Sequence, residues 1–301
     1  VEEISAIEAE CARRGTVQKV LLRLSPGIDP HTYEAVATGK VDSKFGAAIE
    51  TGQAEEMTLY ALSLPHVHLV GYHCHVGSQV FDSDVFLRST AIMLDFAAQM
   101  KEKHGFELEE LDLGGGYGVR YREDDPEIDI YANILQVGEA LKAQCAALGM
   151  KIPAIRMEPG RSIVADAGMT LYNVGTVKRI PGYKNYVSVD GGMTDNPRFA
   201  LYHSAYTVLL ANRVGDDTSK FRCSVVGRCC ESGDILQENV SLPKSVRGDL
   251  LAVLTTGAYN YSMASNYNRL PRPALIILNG NENRIGVRRE TFEDLVALDE
   301  D

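Results

Sequence analysis

The sequence lacks several features that would each have decided its class. No run of about 18 apolar residues occurs in the 301-residue chain, so nothing in it reads as a membrane span. There is no C-x-x-C among the six cysteines, which disfavours a zinc ribbon or a thioredoxin-type site. Positive charge is in deficit: 30 Lys+Arg stand against 41 Asp+Glu, a net charge of −11. Binding to a nucleic-acid backbone needs clustered Lys and Arg, so nucleic acid is not expected as a partner. There is no internal repeat, no low-complexity segment and no obvious linker. The opening VEEISAIEAECARRG has neither the basic start nor the apolar core of a signal peptide.

What is present is the balance of a globular protein, 45% apolar and 24% charged. The length suits two domains or one large α/β domain. Cys11, Cys74, Cys145 and Cys223 are scattered and only Cys229 and Cys230 adjoin, which reads as reduced thiols in a cytoplasmic protein.

Two halves differ in pattern. Residues 1–14 place Ile4, Ile7 and Cys11 at helical spacing. Helical stretches over 52–64, 82–104 and 128–149 then alternate with apolar runs at 20–27, 67–77, 108–118 and 152–160. This order predicts parallel β/α units whose strands end in Gly- or Pro-rich loops. After about residue 166 strand-like runs are separated by turns: VKRIPGYKNYVSVDGG, FRCSVVGRCC, DLLAVLTTGAY and PALIILNGNENRIGVRR. The expected domains are therefore 1–165, an α/β unit, and 166–301, mostly β. A complete (β/α)8 barrel takes about 250 residues. Four strands in the first part fit either an open sheet or the second half of a barrel.

Each candidate motif also has an ordinary structural reading. The glycines of GGGYG (114–118) expose backbone N–H groups that can cradle an anion, or simply make a tight turn. Their spacing does not fit G-x-G-x-x-G, so a dinucleotide site is disfavoured. In EPGR (158–161), Arg161 can grip a phosphate or carboxylate and Glu158 can pair with a ring nitrogen, or the two can form a surface ion pair. His73 and His75 share strand parity, but no carboxylate or third His sits at ligand spacing, so no metal is expected. HVGS (75–78) places His75 and Ser78 at a strand end, where barrel active sites lie. CCESGD (229–234) sets thiols beside an acid, and GAYNYSMASNYN (257–268) offers phenol hydroxyls to a ligand.

Taken in order, PGIDPHTYEAVATGKVDSKFG, GYHCHVGSQ, LDLGGGYG, EPGRSIVADAG, CESGD and GAYNYSMASNYN closely resemble the diaminopimelate decarboxylases, fold type III enzymes of the alanine-racemase-like, pyridoxal-phosphate (PLP) dependent group. The match runs from about residue 20 to the C-terminus. It implies a PLP-binding (β/α)8 barrel, of which this chain has the later part, followed by a C-terminal β-domain. It also implies loss of CO2 from the D-configured centre of meso-2,6-diaminopimelate to give L-lysine, the last step of lysine biosynthesis, in a cytoplasmic homodimer with shared sites.

The resemblance assigns roles residue by residue. Glu158 matches the carboxylate that keeps the pyridine nitrogen protonated, and His75 matches the ring stacked on the cofactor. Ser78, Gly115, Gly116, Pro159, Gly160 and Arg161 match the phosphate-binding set. Tyr259 matches a tyrosine reaching phosphate and substrate. Cys230 matches the acid that reprotonates carbon, contributed by the partner subunit, with Glu231 beside it for the distal amine. Arg198 and Tyr202, four residues apart, match the holders of the distal carboxylate, and Arg161 a further substrate contact. A bare diamine precursor needs no such cation, so Arg198 favours a diaminopimelate-like substrate.

Two departures accompany the match. The segment before CES reads GRC, where the family has Pro and an apolar residue, placing Arg228 and Cys229 beside the proton donor. The family's Schiff-base lysine lies on the first barrel strand, and none of the eleven lysines here has that context. From this, and from the first residue being Val1, an N-terminal truncation is expected, with an exposed strand edge and no useful decarboxylation by the chain as given. The competing expectations are a sister decarboxylase of the ornithine or arginine type, a non-catalytic homologue that dimerises with an intact enzyme, and, more distantly, a metal hydrolase using His73 and His75.

Overall fold

The computed structural model describes residues 1–29, 39, 41, 43–216 and 219–300. Most of the DPHTYEAVATGK stretch quoted above lies outside the described residues, Lys40 included. The chain divides into two compact units, Val1–Val119 with Pro126–Ile163, and Arg120–Asp125 with Val164–Asp301.

The first unit alternates helices and parallel strands. Helix α1 (Glu2–Arg14) buries Ile4 and Cys11 and carries acids in its first turn and arginines in its last, complementing the helix dipole. Gly15, at φ 64°, ends it. Then come β1 (Gln18–Ser25), β2 (Ala47–Ala48), α2 (Gln53–Leu62), β3 (Val67–His73), α3 (Ser83–His104), β4 (Glu110–Asp112), α4 (Ile130–Ala147), β5 (Ala154–Arg156) and the short α5 (Arg161–Val164). The sheet is parallel throughout, in the order β2-β1-β3-β4-β5.

Side-chain caps start the two long helices. Asp82 accepts from the Asp84 N–H and Asp129 from the Ala132 N–H, each at 2.9 Å. Helix α3 turns Val85, Phe86, Ser89, Thr90, Met93, Leu94, Ala97 and Met100 inward, at the three- and four-residue spacing of one helix face. Tyr72 is fully buried between Phe96 and Phe106, ring centroids 5.2 and 5.3 Å away, and its hydroxyl meets Thr58 Oγ1 at 3.1 Å.

The expected count of four parallel strands needs correcting to five. Strand β2 is two alanines paired only with Leu24 and Ser25, too short and too poor in β-formers to be visible in sequence. The apolar runs at 108–118 and 152–160 contain only three strand residues each. Their remaining residues turn away as loops at the strand ends.

The second unit is mostly antiparallel. It contains β6 (Met169–Ile180), β7 (Lys184–Val189), α6 (Arg198–Tyr202), β8 (Val208–Leu210), β9 (Phe221–Val226), β10 (Ile235–Leu242), β11 (Leu250–Leu254), the hairpin β12 (Leu275–Asn279) and β13 (Glu282–Val287), and α7 (Phe292–Val296). Six strands form one sheet in the order β10-β9-β7-β6-β11-β8, with β7 and β9 its one parallel pair among the described residues. Strand β10 has no counterpart among the sequence runs. Its polar ILQENVSL is broken by a register shift between Gln237 and Val240, with Asn239 at φ 58°. Residues 120–125 join this unit because the Tyr121 carbonyl accepts from the Thr207 N–H at 3.0 Å and its hydroxyl donates to the Ala258 carbonyl at 3.3 Å. All six thiols are free. Among the described residues no helix is long and apolar enough to cross a membrane.

Candidate active site

The C-terminal ends of β1, β3, β4 and β5 bring together Arg23, His73 to His75, Asp112 and Glu158. In parallel β/α units this end of the sheet is where ligands bind. The fold builds the spot from glycines. Gly71 lets β3 and β4 approach, since a Cβ there would lie 1.7 Å from the Glu110 carbonyl oxygen. Past β4, a Cβ on Gly115 would stand 2.1 Å from the Glu158 carbonyl oxygen, and one on Gly116 2.1 Å from the Gly77 carbonyl oxygen. The 114–116 loop therefore fits only as bare backbone between the loops after β3 and β5.

A second layer of hydrogen bonds latches these loops. The Val80 N–H donates to the Gly116 carbonyl at 3.0 Å, and the Gly118 N–H to the Val80 carbonyl at 2.9 Å. The Gln79 side chain pairs with the Val119 backbone in both directions, at 2.9 and 3.0 Å. Buried Arg161 donates from Nη2 to Ser78 Oγ at 2.9 Å, tying the loop after β3 to α5. Asp112 accepts the Gly114 N–H at 2.8 Å and fixes the first turn of the glycine loop.

The electrostatics are those of a site for a group with an anionic end and a basic ring. His75 Nδ1 accepts the Gly115 N–H at 3.2 Å. Burial pushes its pKa below the ordinary imidazole value, and Arg23 and His73 reinforce this, so the ring is neutral with its proton on Nε2. His73 Nε2 lies 3.2 Å from Glu158 Oε2, and the Glu158 side chain keeps 57% of its surface open. The Arg23 guanidinium stacks 4.5 Å from the centroid of Phe45. Its pKa is lowered by burial, against the attraction of Glu158. Cys74 is an inert thiol pushed up to about 12, chiefly by burial and then by the charge of Asp112.

One expectation needs correcting here. Two carboxylates do reach His73: ligand-type atoms of His73, Asp112 and Glu158 lie within 4.8 Å of one another. They come from separate strand ends, so no local spacing could have shown it. His75 is not in that group. The three residues belong to the cradle just described.

The other expected residues lie in the second unit. Helix α6 carries Arg198 and Tyr202 on one face, the guanidinium carbon 5.1 Å from the tyrosine centroid. Arg198 is 6% exposed and its Nη2 reaches Ser204 Oγ at 3.5 Å. Tyr206, pushed up to about 12 by burial, shares a hydrogen bond with Arg198 and donates to Asn260 Oδ1 at 3.3 Å. Cys230 is exposed at the tip of the 227–234 loop, and Glu231 Oε2 accepts from the Tyr267 hydroxyl at 3.3 Å. Cys229 is half-buried and pushed up to about 11, by burial first and by Asp234 second. Arg228 is exposed and, with Arg289 and Phe292, lines a cavity of about 410 Å³. Tyr259 is 41% exposed. Sequence reasoning missed Arg23, Asp112 and Tyr206 as parts of these clusters. Asp112 had a visible signal in LDLGGG, directly before the glycines, whereas Arg23, near the end of β1, had none.

A glycine cradle, a neutral histidine and an open carboxylate at the strand ends of a parallel β/α unit are suited to a cofactor with an anionic end and a basic ring, and the family match says which one. Residues 1–165 match the family described as "Pyridoxal-dependent decarboxylase, pyridoxal binding domain". The chain is 45% identical over 297 residues to the diaminopimelate decarboxylase of Bacillus subtilis (strain 168), covering 99% of this chain and 67% of that protein. It superposes on the crystal structure of the M. jannaschii diaminopimelate decarboxylase in co-complex with L-lysine at a TM-score of 0.88 and 33% identity, covering 99% of this chain and 67% of that one. The Helicobacter pylori enzyme complexed with L-lysine gives a TM-score of 0.88 at 32% identity, covering 99% and 71%. The chain belongs to the diaminopimelate decarboxylase family.

The residues fit the PLP that this family implies. The glycine loop admits no Cβ and leaves backbone beside Ser78 and Arg161 for an anion. The open carboxylate of Glu158 suits a protonated ring nitrogen.

Proposed function

We propose that the residues of this chain serve the decarboxylation of meso-2,6-diaminopimelate at its D-configured carbon, giving L-lysine and CO2, in an enzyme whose Schiff-base lysine is not among the eleven lysines here. The observation that carries this reading is the cradle at the ends of β3, β4 and β5, where Glu158, neutral His75 and the Arg161–Ser78 pair surround a loop that only glycine can form. Bound PLP supplies an electron sink for the pair of electrons left when CO2 departs. Glu158 holds a proton on the ring nitrogen, which deepens that sink. His75, neutral and fixed by Gly115, offers an uncharged face. Ser78, Gly115, Gly116, Pro159, Gly160 and Arg161 take the phosphate.

In this reading Arg198, with Tyr202, holds the distal carboxylate of the substrate. A buried guanidinium is suited to a planar anion and ill suited to the bare ammonium end of ornithine. Glu231 takes the distal amine, Tyr259 contacts phosphate and substrate, and Cys230 returns the proton to carbon. Cys230 is exposed in this chain, which is compatible with its serving a site completed by a second copy in a homodimer. A cytoplasmic setting accords with the six free thiols. The test is turnover by the holoenzyme on a panel of meso-2,6-diaminopimelate, L-ornithine and L-arginine, with CO2 and the amine product measured. Preference for the diamine precursors would overturn the assignment of Arg198.

A further inference from the structure

We propose that Asp234 and Asn268 are positioning residues that together place the backbone from which the Cys230 thiol projects. This rests on the reading of Cys230 as the proton donor.

The loop 227–234 carries both Cys230 and Glu231, yet neither side chain is packed in a core. What holds the loop is a pair of side-chain acceptors, one on each flank. Asp234 is 3% exposed, and a carboxylate so deeply buried is retained only where it is paired. Its Oδ1 accepts the Met193 N–H at 2.6 Å and its Oδ2 accepts the Cys229 N–H at 2.7 Å. It thereby joins the donor loop to the 190–196 turn that leads into Arg198. The two glycines beside it exist for it. A Cβ on Gly192 would come within 2.5 Å of the carboxylate, and one on Gly227 within 2.2 Å. The Arg228 N–H adds a bond to the Gly191 carbonyl at 3.1 Å.

On the other flank, Asn268 Oδ1 accepts the Cys230 N–H at 2.8 Å, and the neighbouring Tyr267 hydroxyl meets Glu231. Asn268 stands at φ 55°, a left-handed conformation that asparagine tolerates better than most residues. Two successive N–H groups are thus gripped from opposite sides. Because each peptide is planar, fixing both N–H groups fixes the two peptide planes that flank Cys229, and with them the position of the Cys230 nitrogen and Cα from which the thiol projects. One clamp therefore serves both the proton donor and the approach to the carboxylate-binding arginine.

Neither residue touches substrate in this account, so the test must separate positioning from bulk stability. Asp234→Asn keeps the volume but replaces one acceptor with an NH2 group. Asn268→Gly removes the second acceptor, keeps the backbone conformation and lies on the surface. In the holoenzyme, each should lower kcat on the order of 100-fold, the scale of a misplacement of about 1 Å, with KM little changed. Each should also raise the rate at which iodoacetamide alkylates Cys230, read by mass spectrometry on the peptide that carries it. In a Cys230→Ser background neither substitution should lower kcat further, because the group they position is gone.

Losses that persist undiminished in that background would mean a structural role only and overturn the proposal. Full kcat and unchanged alkylation in both variants, with Cys230→Ser impaired, would overturn the clamp and leave the donor reading standing. Full kcat in Cys230→Ser would overturn the donor reading itself, and the proposal with it. If Asp234→Asn does not fold, Asn268→Gly decides the matter alone.

Discussion

Gly116→Ala should damage the cofactor cradle out of proportion to the one methyl group it adds. Gly116 sits at φ 109°, which L side chains rarely adopt, and its added Cβ would be 2.1 Å from the Gly77 carbonyl oxygen. A relaxed C···O contact is about 3.3 Å or more, so the loop after β3 must retreat by roughly 1.2 Å. An L-residue in the left-handed half of the map costs about 1–2 kcal/mol. Overpacking of this kind costs about 1–3 kcal/mol. The expected loss is therefore about 2–5 kcal/mol. The retreat also strains the bond from the Val80 N–H to the Gly116 carbonyl, which aligns the loop holding Ser78. A fair control is Gly138→Ala on α4, where a Cβ would meet nothing within 4 Å. There alanine should stabilise by about 0.8–1 kcal/mol through helix propensity. Urea unfolding at constant m reads both changes, and PLP titration followed by absorbance reads the cradle. Gly116→Ala within about 0.5 kcal/mol of the parent, or Gly138→Ala as harmful as Gly116→Ala, would refute the reasoning.

Other substitutions probe separate parts of the site. Burial, Arg23 and His73 hold His75 below the ordinary imidazole pKa, so the unfolded chain binds that proton first. Stability should then fall as pH drops below about 6.5, less so in His75→Gln, and NMR titration should find the His75 ring neutral at pH 7. Glu158→Gln should leave the urea midpoint nearly unchanged, since the side chain is open and its contact is the 3.2 Å approach to His73. Its kcat should fall on the order of 100-fold; a fall of less than about threefold would remove the ring-nitrogen role. Arg198→Lys loses the planar fork, worth about 1.5–3 kcal/mol for a charged hydrogen bond. KM for meso-2,6-diaminopimelate should rise about tenfold or more, while Tyr206 and Tyr202 keep the packing.

Much of this protein was determined by the sequence alone, because local patterns carry their own physics. The helices could be read from three- and four-residue spacing, and the structure then showed the Asp82 and Asp129 side chains that cap the two long ones. Arg198 and Tyr202 were named as a pair by the family resemblance, and the structure puts them on one helix face, where i and i+4 meet. GGGYG pointed to a loop that needs bare backbone, and the order of motifs carried the family. Only the tertiary structure decided how residues from separate strand ends meet. The contact between His73 and Glu158 spans 85 residues, and Arg23 and Asp112 join them through strand pairing that no local window contains. Strand β2 was invisible because two alanines become a strand only by pairing with Leu24 and Ser25. Strand β10 was obscured by its polar residues and its bulge. The clamp on Cys230 follows the same rule. CCESGD names the thiol, but the placement of its backbone depends on side-chain acceptors from separate segments, and such placement is a property of packing rather than of spacing.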